Sequence, residues 1–196
     1  MYVIFEGIDT TGKSTQIELF KQHHDEVVTL KEPGNTKLGE TLREIILNSA
    51  HQLAFNTELF LFLADRAQNF AENIAGKDHD IILSDRGMIS GIAYALANNQ
   101  DLKMDFLIAL NQFALNGNLP HAVVFFKTNR DLILERIMEK EHDNIEQRGI
   151  DYLLKVQDLM EAVLDELPTR VLTIDAAQTR EKIYKQIEDF IYDTSA

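Results

Sequence analysis

The 196-residue chain is 45% hydrophobic and 26% charged, which suits one globular domain and leaves no segment biased enough to read as disordered. Its net charge of −13 argues against general nucleic-acid binding, whose affinity comes from neutralising phosphates, but leaves room for a small phosphorylated ligand held by a few local cations. The absence of cysteine excludes disulfides and thiolate metal sites, and no apolar run approaches the roughly 20 residues needed to cross a bilayer.

Met1 to Phe5 is apolar, lacks a basic flank and runs directly into a glycine motif. It reads as a first core strand rather than a signal peptide, so the cytoplasm is the expected address and no membrane partner is expected. Further strands are predicted at Val27–Leu30, Ile81–Leu83, Val123–Phe126 and Val171–Ile174. Each is short, β-branched or aromatic, and apolar on both faces, as in a parallel sheet covered on both sides. Helical periodicity runs from Lys13 to about His23, from Leu38 to about Leu47, and from Thr57 to about Ile74. It returns from Ser90 to about Ala97, Met104 to about Leu115, Leu132 to about Glu139, Tyr152 to about Leu167, and Arg180 to about Tyr192. The alternation predicts an α/β domain, a parallel five-stranded sheet flanked by helices on both faces, spanning residues 1–196. The polar stretch at about 139–149 reads as a short lid. Ligands of such sheets sit beyond the carboxyl ends of the strands.

The segment after the first strand, Gly7-Ile8-Asp9-Thr10-Thr11-Gly12-Lys13-Ser14, fits the phosphate-binding pattern G-x-x-x-x-G-K-[ST] in the strand–turn–helix context that it requires. Glycines let the backbone wrap an anion, and N–H groups of the loop and helix N-terminus point at it. Lys13 is expected to reach the β- and γ-phosphates of ATP, and Ser14 to ligate Mg²⁺. With Thr15, these eight residues form the expected ATP-phosphate site. The strand Ile81–Leu83 runs on through Ser84 into Asp85. That Asp is either a second Mg²⁺ ligand or the N-cap of the next helix, and Arg86 beside it favours phosphate chemistry.

Beyond this loop the chain resembles the thymidylate kinase family along nearly its whole length. The resemblance is carried by Phe5-Glu6-Gly7, by Lys31-Glu32-Pro33-Gly34 with Gly39-Glu40 and Arg43, and by Leu61-Phe62-Leu63-Ala64-Asp65-Arg66-Ala67-Gln68. It continues through Asp85-Arg86 with Ser90 and Ala93-Tyr94, Leu110-Asn111, Ala114 with Asn116-Gly117, and Leu134-Glu135-Arg136-Ile137. The resemblance implies phosphoryl transfer from ATP to thymidine monophosphate for DNA-precursor synthesis, and a homodimer. It implies that Phe62 stacks on the thymine ring and that Arg66 hydrogen-bonds its exocyclic oxygen. Arg43 and Arg86 match arginines that hold the acceptor's phosphate, and Asp9 matches an acid at the sugar's 3′-hydroxyl that places the phosphate-binding arginine. Glu32 and Pro33 border the acceptor, and Ser90 and Tyr94 complete the base site. From helix periodicity alone, Phe62 reads more readily as core and Arg66 as a surface charge.

The chain departs from the family in its lid, where Asn144 stands in place of a common arginine, and at Gly91, Ala95 and Lys31. The expected cation for the transferring group is Arg136 first and Lys140 second. No catalytic base is needed, because the second pKa of a phosphate monoester is about 6 and the acceptor is mostly a dianion near neutral pH. The alternatives are another P-loop nucleoside or nucleoside-monophosphate kinase, or a nucleotide-dependent switch.

Overall fold

The computed structural model describes residues 1–48, 52–138 and 149–193. Five strands, β1 (Tyr2–Glu6), β2 (Val27–Lys31), β3 (Ile81–Asp85), β4 (Ala122–Lys127) and β5 (Arg170–Asp175), form one parallel sheet in the order β2-β3-β1-β4-β5. The helices among the described residues are α1 (Lys13–His23), α2 (Lys37–Asn48), α3 (Phe55–Asn73), α4 (Met88–Asn98), α5 (Met104–Ala114), α6 (Arg130–Met138), α7 (Ile150–Asp165) and α8 (Arg180–Tyr192). Every predicted element is present, with ends moved by at most two residues.

The strand period of two sorts β1 onto two cores. Tyr2 and Ile4 join Ile82, Val123 and Phe125 beneath α4, α5 and α7. Val3 and Phe5 join Leu83, Val124 and Phe126 beneath α1 and α8. Phe5 and Phe126 are fully buried with ring centroids 6.0 Å apart, and a side chain so placed contributes about 3–5 kcal/mol relative to alanine. The expectation of strands apolar on both faces holds for β1, β3 and β4 and departs at β5. That strand is an edge, and its Val171 and Thr173, level with Val123 and Phe125, are exposed.

Strand order and register bring the functional segments together. Phe5, Asp85 and Lys31 lie level across β1, β3 and β2. The chain continues this ladder past the strand ends: Arg86 N–H donates to Phe5 O at 3.0 Å, and Glu32 N–H to Asp85 O at 3.0 Å. The segments after β1, β2 and β3 therefore form one rim. Those after β4 and β5 lie on the other side of β1, joined by Ala176 N–H donating to Lys127 O at 2.9 Å.

Candidate active site

The loop Gly7–Gly12 is wrapped around its own lysine. Lys13 Nζ donates to Gly7 O at 2.9 Å and Ile8 O at 2.7 Å, and lies 3.4 Å from Thr11 Oγ1. Burial pushes the Lys13 ammonium down to about 7, with Arg86 adding to the effect and Asp85, Asp9 and Glu6 opposing it. Among the described residues no side chain caps α1, so its first N–H groups remain available to an anion. Ser14 and Thr15 are exposed on its first turn.

Ser14 Oγ donates to Asp85 Oδ2 at 2.5 Å, joining the first turn of α1 to the end of β3. Two hard oxygen donors beside a phosphate loop suit Mg²⁺, which takes few protein ligands and completes its shell with water and phosphate. Among the described residues no group of three or more histidine or carboxylate side chains forms a separate metal cage. Asp85 is not the cap of α4. That helix starts at Met88, and its Ile89 and Ser90 N–H groups donate to Glu6 Oε1 at 3.1 and 3.2 Å. Glu6 is fully buried and also accepts from Ser90 Oγ. Burial raises its carboxyl, against the hydrogen bonds from Ser90 and the charge of Arg86. Sequence reasoning gave Glu6 no role. Its signal was a carboxylate at the end of an otherwise apolar strand.

Arg86 gathers three of the expected acceptor residues, Asp9, Ser90 and Tyr94. It has a left-handed backbone, φ 70°, which strains a non-glycine residue and aims its side chain back over the phosphate loop. Nη2 meets Asp9 Oδ1 at 2.5 Å, while Nη1 donates to Ser90 Oγ at 2.9 Å and Gly7 O at 3.3 Å. The guanidinium stands 5.8 Å from the Tyr94 ring centroid. Burial works against its charge, but Asp9, Tyr94 and Glu6 outweigh it and hold the group above its usual value.

On the far side of the rim lies Arg66, whose residue is 3% exposed. Nε and Nη2 approach Glu32 Oε2 at 2.9 and 2.8 Å, and Nη1 donates to Asn111 Oδ1 at 2.6 Å. These bonds engage three of the five guanidinium N–H groups. The terminal nitrogens of the guanidinium abut Gly91 edge-on, where an added Cβ would sit 3.2 Å from Nη1, 3.3 Å from Nη2 and 3.7 Å from Cζ. The glycine at this departure from the family therefore allows the close approach. Glu32 also accepts from Asn69 Nδ2 at 3.2 Å, and the Glu32–Pro33 peptide is cis. Arg43 Nη1 donates to Pro33 O at 2.8 Å. Phe62, one turn before Arg66 on α3, is half-buried. Sequence reasoning missed Asn69 and gave Asn111 no role, since each acts only through its neighbours.

Arg136 does not stand with the acceptor residues. Nη1 donates to Thr10 O and Nη2 to Ala176 O, both at 2.7 Å, so it ties the phosphate loop to the segment after β5. Lys140 lies outside the described residues, as does the expected lid apart from Gly149. Helix α4 is largely core, with Ile89, Ile92, Ala93, Ala95 and Leu96 buried. Exposed aromatics lie instead on α3 and α5, at Phe60, Phe106 and Phe113. No helix among the described residues is long and apolar enough to cross a membrane.

A family model described as thymidylate kinase matches residues 5–187. A thymidylate kinase of Campylobacter jejuni subsp. jejuni serotype O:6 is 47% identical over 97% of this chain and 100% of its own length. One of Campylobacter concisus is 48% identical, covering 97% of this chain and 98% of its own. One of Sulfurovum sp. is 45% identical, covering 97% and 99%. Such similarity over nearly all of each chain, joined to the phosphate loop and the arginine cluster beside it, means that the chain belongs to the thymidylate kinase family.

Proposed function

We propose that this protein transfers the γ-phosphoryl group of ATP to thymidine monophosphate, giving thymidine diphosphate and ADP. The observation that carries this reading is the Arg86 guanidinium. It touches Gly7 O of the phosphate loop and Asp9, Ser90 and the Tyr94 face at once. A cation shared between the ATP-phosphate loop and an acceptor pocket suits a reaction in which two phosphates meet.

The chemistry needs alignment and charge neutralisation rather than a base. Arg86 and Arg43 hold the acceptor phosphate, and Asp9 orients Arg86 and meets the sugar hydroxyl. Phe62 supplies a π-face to the base and Arg66 guanidinium N–H donors, while Glu32, Pro33, Ser90 and Tyr94 line the pocket. Gly7 to Thr15 receive the ATP phosphates, where Lys13 exchanges its backbone carbonyls for phosphate oxygens. Ser14 and Asp85 would hold Mg²⁺, which neutralises charge on the ATP phosphates when bound. Arg136 and Lys140 are the proposed cations for the transferring group, and Arg136 reaches it only by releasing Thr10 O or Ala176 O. The α3–α5 face of Phe60, Phe106 and Phe113 supports a homodimer, to be tested by sedimentation at micromolar concentration. The cytoplasm is the proposed location.

Chromatographic detection of thymidine diphosphate from thymidine monophosphate and ATP tests the assignment. Arg86→Ala should raise the acceptor KM and lower kcat. Unchanged turnover in that variant would refute the shared-cation role.

A further inference from the structure

The acceptor site is built on an inverted helix face. Of the four residues that α3 buries, Phe70 is apolar and three are polar: Asp65, Arg66 and Asn69, at 1%, 3% and 0% exposure. All three grip the loop that follows β2. Arg66 and Asn69 hold the Glu32 carboxylate. Asn69 Oδ1 accepts from Asn35 Nδ2 at 3.3 Å. Asp65 Oδ1 accepts from the Gly34 N–H at 3.0 Å.

Asp65 has a made-to-measure seat. A Cβ at Gly39, on the first turn of α2, would collide with Asp65 Oδ1 and come within 3.0 Å of Thr36 Oγ1. Gly34 in turn is the floor beneath Arg43. A Cβ built there would sit 2.7 Å from Arg43 Cδ, and Arg43 Nη1 is anchored one residue earlier, on Pro33 O. The carboxylate thus fixes the backbone on which the Arg43 side chain lies. Burial pushes Asp65 up to about 6, and Glu32 adds to this, while the Gly34 N–H, Arg66 and Arg43 oppose it. A buried carboxyl kept at such a cost has a use beyond filling space.

We propose that Asp65 is a positioning residue for the acceptor's phosphate: it sets Gly34, and through Gly34 the Arg43 guanidinium, while Arg66 beside it sets the base-reading end of the same loop. Consecutive residues of one rigid helix then fix the spacing between phosphate holder and base reader. This inference rests on the function proposed above.

The test compares binding of thymidine monophosphate and thymidine by isothermal titration in wild type, Asp65→Ala, Asp65→Asn and Gly39→Ala. Asp65→Ala should weaken the monophosphate at least about tenfold while thymidine changes less than about twofold. Asp65→Asn, which keeps an acceptor for the Gly34 N–H, should restore most of the loss. Gly39→Ala, which displaces the carboxylate without removing it, should mimic Asp65→Ala. Equal weakening of both ligands, or of neither, overturns the proposal. If wild type instead binds and turns over another monophosphate, the substrate assignment fails. The same four-protein comparison with that monophosphate and its nucleoside then decides the role of Asp65.

Discussion

Removing the Glu32 carboxylate would leave the Arg66 guanidinium charged and buried with Asn111 as its one remaining partner among the described residues. The two side chains are each 4% exposed, and Glu32 Oε2 lies within 2.9 Å of both Nε and Nη2. Arginine does not give up its proton in a protein, so it cannot escape the penalty by neutralising. Breaking one side of such a buried pair costs about 3–5 kcal/mol. For a chain of this length that lowers Tm by on the order of 10 °C. Differential scanning calorimetry of Glu32→Ala should show this fall, and Glu32→Gln, which keeps an acceptor, a smaller one. Adding Arg66→Met to Glu32→Ala should recover much of the loss, because the stranded charge is then gone. A Tm change below about 2 °C in Glu32→Ala, or a double variant less stable than the single one, would refute the reasoning.

Three other outcomes follow from the site. Asp65 has its folded pKa raised from 3.8 to about 6, so its contribution is present below pH 4 and is lost as pH rises through 6. Asp65→Asn should therefore gain stability over wild type between pH 4 and 6 and hold that gain above, up to about 3 kcal/mol by chemical denaturation at pH 8; a gain that shrinks with rising pH contradicts the assignment. Lys13 at about 7 is mostly neutral at pH 8 and recovers its charge beside a triphosphate. Calorimetry in buffers of different ionisation enthalpy should show uptake approaching about one proton per ATP at pH 8, absent in Lys13→Met; equal uptake in both proteins points elsewhere. Arg136→Ala should lower kcat at least about tenfold with the acceptor KM nearly unchanged; lost stability with kcat retained would reduce Arg136 to its tie between Thr10 and Ala176.

The legible part of this protein was what acts locally in the chain. The phosphate loop is contiguous, so its spacing carries its geometry, and five strands followed from short apolar runs. Helix α3 shows where periodicity misleads. Periodicity alone favours Phe62 as core and Arg66 as a surface charge, yet Phe62 is half-buried while Asp65 and Arg66 are buried. Charged residues become interior only when partners distant in sequence satisfy them, and those partners, Glu32 and Asn111, lie 34 and 45 residues away from Arg66. Glu6 was missed for the same reason. It serves Ile89 and Ser90, 83 and 84 residues later, and its one local mark is a carboxylate at the end of an apolar strand. Arg136 was picked out as a cation by resemblance, but its two carbonyl partners come from loops that only the sheet order makes neighbours.

The most direct test is coupled ADP release with ATP, Mg²⁺ and each nucleoside monophosphate in turn, run on wild type and Lys13→Ala. The account predicts strong turnover with thymidine monophosphate, little with the others, and near-complete loss in Lys13→Ala with the fold intact. Turnover that favours another monophosphate, slow ATP hydrolysis indifferent to any acceptor, or full activity in Lys13→Ala would contradict it.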